Sequence, residues 1–275
     1  MIKYILIALT TLTIGSISAN ADEPYRILIT NDDGITDAGL IALVDALSDN
    51  AEIIVAAPAV KWGGKGHGTN LWEGPMKIEP QQISGASHSY AVYGMPADAA
   101  RFGILMANKL GKKIDLVISG INSGDNVGSA SQLSGTIGAA MEALYYKIPS
   151  IAVSLDGDTA HKGSYGDAAH FIDTLVPEIR KNGIPEGTML NINIPATIKG
   201  VKATPQGDYV VEVSSFEITE DGMFTPQITY PDSKIPGSDS YEFTQGYITI
   251  APLKLDNTDA EMLKTLGSWN LKTGK

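Results

Sequence analysis

The sequence predicts a doubly wound α/β fold on a mostly parallel sheet, with a β-rich extension at its C-terminal end. Three observations predict it. Short apolar runs stop at Asn, Asp, Gly or Pro, as strands buried on both faces do. Segments with apolar residues at helical spacing lie between them. The two alternate for most of the chain, which is the pattern of right-handed βαβ units. The first strand is Tyr25 to Thr30, running into Asn31-Asp32-Asp33-Gly34. A helix over Ala38 to Asp49 follows, with Leu40, Leu43, Val44 and Leu47 on one face and Thr36 or Asp37 as its cap. Glu52 to Pro58 is the second strand, stopped by its proline. Lys61 to Gly68 is a glycine-rich loop, and Asn70 to Val92 alternates weakly, as antiparallel strands do. Pro96 to Leu110 is a helix with Asp98 in its first turn. Asp115 to Ser119 is a buried strand leading into Gly120-Ile121-Asn122-Ser123-Gly124. Helix Ser134 to Tyr146, strand Ser150 to Leu155, helix Ala168 to Lys181 and strand Met189 to Ile194 complete the alternation. From about 202 the character changes to turn residues and short β-like runs, among them Tyr209 to Val213 and Gly246 to Ile250. Asp232 to Ser240 is polar and turn-rich, which suits a loop or an exchanged arm.

The chain has 275 residues, 43% of them hydrophobic, enough for one sizeable core. Its formal net charge of −11 excludes a nucleic-acid polymer as partner, because neutralising many phosphates needs a basic surface. A single phosphate in a metal site is compatible with that charge, since a bound cation outweighs the global field. The absence of cysteine excludes disulfide scaffolds, thiolate metal sites and a cysteine nucleophile. Residues 1–21 read as a secretory signal peptide. Lys3 precedes an apolar core from Ile5 to Ile14, and Ala19-Asn20-Ala21 supplies the cleavage site. The expectation is a cut after Ala21 and an exported protein, secreted or periplasmic, with residues 22–275 as one domain and no membrane span.

Three loops follow the C-terminal ends of expected strands: Asn31 to Gly34, the glycine-rich loop after Pro58, and Ser119 to Asn122. In open α/β sheets ligands bind at that edge. Adjacent carboxylates such as Asp32 and Asp33 repel there, and a divalent cation relieves the repulsion. Carboxylate and amide oxygens suit Mg²⁺, Mn²⁺ or Ca²⁺. Read alone, Asp32-Asp33 is equally a turn with a helix cap, Asn122 a loop residue bonding its own backbone, and Ser134-Gly135-Thr136 a helix cap. That helix N-terminus also offers N–H groups to a phosphate. Of the four histidines, only His67 lies in one of the three loops. No G-x-S-x-G, P-loop or H-E-x-x-H motif is present.

Taken together, these segments resemble the SurE (survival protein E) family of nucleotidases. The resemblance is carried by Ile27 to Gly34, by Gly94-Met95-Pro96-Ala97-Asp98 and by Ser119 to Gly128. Ser134-Gly135-Thr136, Ala139 to Ala143, Ile148 to Leu155 and Leu190 to Pro195 continue it in order. It implies a Rossmann-like, three-layer core and homodimers or homotetramers built partly by exchanged C-terminal arms. It also implies metal-dependent hydrolysis of small phosphate monoesters, typically nucleoside 5′- and 3′-monophosphates. By resemblance, Asp32, Asp33 and Asn122 hold one divalent metal per subunit, Mg²⁺ or Mn²⁺. Asn126, Ser134, Gly135 and Thr136 hold the phosphate, and Asp32 and Asn126 are the catalytic positions. The nucleophile is either a water activated by the cation or the Asp32 carboxylate, with water favoured and Asp32 as ligand and base.

Two departures stand out. The family's glycine-rich loop carries a serine as a further metal ligand where this chain has Gly63, and the family's Gly-Thr-Pro-Ala-Asp is Gly94-Met95-Pro96-Ala97-Asp98 here. Gly63 leaves a gap that water or, less well, His67 would fill. The alternative reading is a degenerate relative that binds nucleotides or bridges a partner with little turnover. A third is an esterase on the same scaffold, disfavoured by the missing serine elbow. Trp62, Trp72 and Tyr93 are candidates for stacking on a base.

Overall fold

The computed structural model describes residues 24–208, 211–269, 271 and 273. The expected leader 1–21 and its cleavage site lie outside the described residues, as do Tyr209 and Val210. The strands are β1 (Arg26–Thr30), β2 (Glu52–Pro58), β3 (Ile78–Gln81), β4 (Ala86–Val92), β5 (Leu116–Ser123), β6 (Ser150–Leu155), β7 (Thr188–Ile194), β8 (Gly200–Ala203), β9 (Glu212–Ile218), β10 (Phe224–Thr229) and β11 (Tyr247–Lys254). The helices are α1 (Ala38–Leu47), α2 (Pro96–Lys109), α3 (Gly135–Tyr145), α4 (Gly157–His161), α5 (Gly166–Asn182), α6 (Asp239–Thr244) and α7 (Ala260–Gly267). Nine strands form one sheet in the order β3-β4-β2-β1-β5-β6-β7-β11-β8. Its six central strands, β4 to β7 in that order, are parallel, while β3 and β11 pair antiparallel to β4 and β7.

The apolar runs are buried on both faces because residues alternate between two helical layers. Ile27 and Ile29 pack with Leu40, Leu43 and Leu47 of α1 and with Ile172 and Ile179 of α5. Leu28 between them packs the other way, with Ile104 and Ala107 of α2 and Ala143 of α3. The result is a Rossmann-like three-layer α/β core. Asp37 caps α1, its carboxylate accepting from the Gly39 N–H at 2.8 Å. From β1 the chain winds through β2 to β4 on one side and then crosses to β5 and β6 on the other. The loops after β1 and β5 therefore open apart at a topological switch point.

β5 runs four residues beyond its expected end. Its register against β6 shifts between Ser119 and Asn122, so an extra residue bulges out of the ladder there. Gly120 has φ of 143°, and a Cβ would come within 2.5 Å of the Val153 carbonyl oxygen. Only glycine fits, and the bulge carries Asn122 beyond the sheet edge.

The C-terminal extension divides in two. β8, α6 and β11 join the body, whereas β9 and β10 form a separate antiparallel hairpin with every described residue exposed. Asp232 to Ser240, expected to suit a loop or an exchanged arm, ends in a buried anchor at Ser238, Asp239 and Ser240. The Asp239 carboxylate accepts backbone N–H bonds from Gly128, Gly207 and Ser240. Residues 232–237 form the expected loop, largely exposed, and only the last three polar residues are buried hydrogen-bond partners, which composition alone does not reveal. Among the described residues no helix is long and apolar enough to cross a membrane.

At the opposite edge of the sheet, Arg26 Nε donates to Glu52 Oε2 at 2.8 Å, and Lys112 pairs with Glu52 Oε1. Burial would raise the Glu52 carboxyl, but the Lys112 and Arg26 hydrogen bonds outweigh it and hold it at about 2. A depressed carboxylate contributes stability that is present above its ordinary 4.5 and lost as pH falls toward about 2. Glu52→Gln is expected to cost ~1–2 kcal/mol at pH 7, after discounting for solvent, and much less near pH 3. Urea unfolding at the two pH values checks this; an equal loss at both would show that the pair is not the source.

Candidate functional site

The loops after β1, β2 and β5 and the segment leading into α3 surround one cavity of about 500 Å³. Asp32, Asp33, Gly63, Asn122, Asn126 and Ser134 all line it. Gly135 and Thr136 lie just behind that wall.

Asn31 clips the β1 loop into its turn. Its amide donates to the Gly34 carbonyl at 2.8 Å and accepts from the Gly34 N–H at 3.1 Å. That turn sets both carboxylates at the strand end, where Asp32 is 4% exposed. Thr136 Oγ1 donates to Asp32 Oδ1 at 2.6 Å, and the Ser123 N–H donates to Asp33 Oδ2 at 3.2 Å. Asp33 Oδ1 is paired with the ammonium of Lys61. Burial pushes the Asp32 carboxyl up to about 6, the Thr136 hydrogen bond opposing and the neighbouring Asp33 charge adding to the rise. Two carboxylates thus stand side by side here, with the Lys61 ammonium paired to Asp33.

Asn122 donates its Nδ2 to the Gly124 carbonyl at 2.6 Å, which assigns its other end, Oδ1, as an acceptor. Asn126 is held from three sides in the buried interior. Its N–H donates to Asn193 Oδ1 at 2.7 Å, its Nδ2 to Ser154 Oγ at 2.8 Å, and its carbonyl accepts from Asn191 Nδ2 at 2.8 Å. Ser134 is the N-cap of α3, its Oγ accepting from the Ile137 N–H at 3.2 Å. Helix geometry leaves the N–H groups of Gly135 and Thr136 without an intrahelical carbonyl. Gly135 also sits against Asp32, where a Cβ would stand 2.9 Å from the Asp32 Cβ. α3 can therefore reach Asp32 closely only with glycine at its first position.

The donors gathered here are hard oxygens, which fit a divalent cation of the Mg²⁺ or Mn²⁺ kind. Among the described residues no three His, Asp or Glu side chains gather at one point. A cation at this edge would have two carboxylates and the Asn122 amide as its protein donors.

Several residues fall elsewhere. His67 points away, its Nε2 at 2.7 Å from Glu142 Oε1, so its imidazole does not fill the Gly63 gap. Trp62, Trp72 and Tyr93 do not line the cavity; Tyr230 and Val211 beside the hairpin do. Lys61 and Asp125 on its wall, and Asn191 and Asn193 beneath Asn126, went unassigned in the sequence reading. The alternation Leu190-Asn191-Ile192-Asn193-Ile194 was the one signal, since two amides on one face of a buried strand need partners.

The comparisons with known proteins point to one family and one fold. The model for the family described as "Survival protein SurE" matches residues 27–212. A 5′-nucleotidase SurE from Syntrophobacter fumaroxidans is 35% identical over 255 residues, covering 90% of this chain and all of the relative. One from Clostridium beijerinckii is 37% identical over 247 residues, covering 86% of this chain and 96% of the relative. The crystal structure of the SurE protein from Aquifex aeolicus superposes with a TM-score of 0.75 at 32% identity, covering 88% of this chain and 98% of that one.

Proposed function

We propose that this chain, which belongs to the survival protein SurE family, is an exported, divalent-metal-dependent phosphomonoesterase acting on nucleoside 5′- and 3′-monophosphates. Family membership supports a hydrolase of the nucleotidase or phosphatase kind. The single observation that carries the finer reading is the buried Asp32 carboxyl, raised to about 6 beside Asp33 at the mouth of a nucleotide-sized cavity. Export rests on the leader-like residues 1–21.

Asp32, Asp33 and Asn122 would hold a divalent cation, which would supply charge neutralisation at a phosphate oxygen. The remaining chemistry belongs to the chain. The N–H groups at the start of α3 orient the other phosphate oxygens, favoured by the helix dipole. Asn126, fixed by Asn191, Asn193 and Ser154, offers a pre-organised contact at the cavity wall. Thr136 fixes the rotation of the Asp32 carboxylate. Water is the nucleophile in this reading, because the Asp32 carboxylate is held by Thr136 and would also serve as a cation ligand, and Asp32 takes up the water's proton. The oxygen of water bonds to phosphorus as the ester P–O bond breaks, and the ester oxygen leaves with the bonding pair and gains a proton from solvent to become the alcohol. With added Mn²⁺ the protein is expected to release phosphate from p-nitrophenyl phosphate and from nucleoside monophosphates, and to leave p-nitrophenyl acetate intact. Turnover of the acetate alone would favour an esterase. Nucleotide binding without turnover would favour a degenerate relative, which is the reading that Gly63 supports.

Gly63 has room for a side chain. Its φ is outside the left-handed region, and a Cβ would meet only Lys61 Cε, at 3.7 Å. Gly63→Ser is expected to tighten Mn²⁺ binding on the order of tenfold, about 1.4 kcal/mol, with unchanged thermal stability. Calorimetric titration of both proteins checks it; equal affinities would show that position 63 does not face the cation.

The exposed hairpin supports a homo-oligomer in which a second copy covers β9 and β10. An isolated two-stranded hairpin is marginal in water. This one presents Phe216, Ile218 and Phe224 at 61–69% exposure.

A further inference from the structure

Lys61 is the one basic residue among those lining the cavity, which also carries the carboxylates of Asp32, Asp33 and Asp125. Its ammonium is paired with Asp33 Oδ1, and its side chain is 63% exposed while that of Asp33 is 3% exposed. The backbone beneath it is pinned to the site, since the Trp62 N–H donates to the Asp32 carbonyl at 2.8 Å. Gly63 leaves the space beside the lysine stem open. A wall with three carboxylates and one ammonium repels a phosphate dianion unless cations are added. A lysine on a flexible four-carbon stem can exchange one anionic partner for another without moving its backbone.

We propose that Lys61 is a tethered counter-cation that changes partner: it neutralises Asp33 in the cation-free protein and turns to the substrate phosphate once a divalent cation has taken the carboxylates. Lys61 is thus a positioning residue that couples cation binding to phosphate binding. The coupling is reciprocal, because each ligand relieves the competition that the other meets. The inference rests on the cation site proposed above.

The test is calorimetry on the whole protein and on Lys61→Met and Lys61→Arg, with Mn²⁺ and inorganic phosphate as probes. Removing the ammonium removes both a competitor and a repulsive charge. Lys61→Met is therefore expected to bind Mn²⁺ about tenfold more tightly in the absence of phosphate. With Mn²⁺ saturating, it should bind phosphate about tenfold more weakly. Lys61→Arg keeps the charge and is expected to stay within about threefold of wild type for both. The Lys61 side chain is exposed, so both variants are expected to fold, and matched thermal unfolding verifies that. Mn²⁺ affinity in Lys61→Met equal to or weaker than wild type would overturn the proposal. So would tighter Mn²⁺ binding with unchanged phosphate affinity, since the lysine would then only obstruct the cation. A wild-type protein that binds no Mn²⁺ would overturn the cation site itself, and with it this inference.

Discussion

Asp32→Asn is expected to lower kcat by about 10³ or more, on the order of 4 kcal/mol of transition-state stabilisation. The same change is expected to leave the cation-free protein at least as stable as wild type. Asparagine keeps an oxygen to accept from Thr136 Oγ1, and it removes a carboxyl that burial holds at about 6, above its ordinary 3.8. A raised carboxylate binds its proton more tightly in the folded state, so folding loses stability as pH rises from about 3.8 through about 6. Wild type carries that cost in full at pH 7, and the variant does not. The gain is on the order of 2 kcal/mol at pH 7 with EDTA present, fading toward pH 4. Steady-state kinetics and thermal unfolding at the two pH values check both halves. Activity within threefold of wild type would remove Asp32 from the chemistry, and a marked loss of stability at pH 7 would make it a structural residue instead.

Removal of residues 212–229 is expected to convert an oligomer into a monomer while the nine-stranded sheet folds unchanged. The hairpin holds itself together by backbone pairing and by Phe216 against Phe224, ring centroids 6.1 Å apart and nearly perpendicular. Those contacts leave both rings largely exposed. Phe216→Asp with Phe224→Asp places two charges in the surface that a second copy would cover, and is expected to dissociate the assembly as fully as the deletion does. Light scattering reads the mass. An unaltered oligomer in both variants would assign the interface to another surface; a monomeric wild type would show that the hairpin is not covered by a second copy.

The core was legible because burial of a parallel sheet leaves a periodic trace. The runs Ile27-Leu28-Ile29 and Ile53-Ile54-Val55 are apolar on both faces because α1 and α2 cover opposite sides of the same strands. The alternation also placed the loops after β1 and β5 at one edge, and the structure brings Asp32, Asp33, Asn122, Asn126 and Ser134 to one cavity there. What periodicity cannot carry is the partner of a polar side chain. Thr136, expected among the phosphate contacts, has its hydroxyl committed to Asp32, and only its N–H remains for that role. Asp239 reads as solvated from its neighbours in sequence, yet backbone N–H groups of the distant Gly128 and Gly207 join that of the adjacent Ser240 around it. Lys61 gives no local sign of its ion pair, because Asp33 lies on a different strand end. The β9–β10 hairpin is the converse case, with apolar residues that a single copy of the chain does not bury.

The central claim is that two carboxylates and an amide at the sheet's switch point hold a divalent cation against which a phosphate monoester is hydrolysed. Its most direct test is phosphate release from a nucleoside 5′-monophosphate by EDTA-treated protein, before and after Mn²⁺ or Mg²⁺ is restored. The account predicts negligible release from the stripped protein and recovery of at least about a hundredfold with cation, the scale of several kcal/mol of charge stabilisation. Equal release with and without the cation would contradict it.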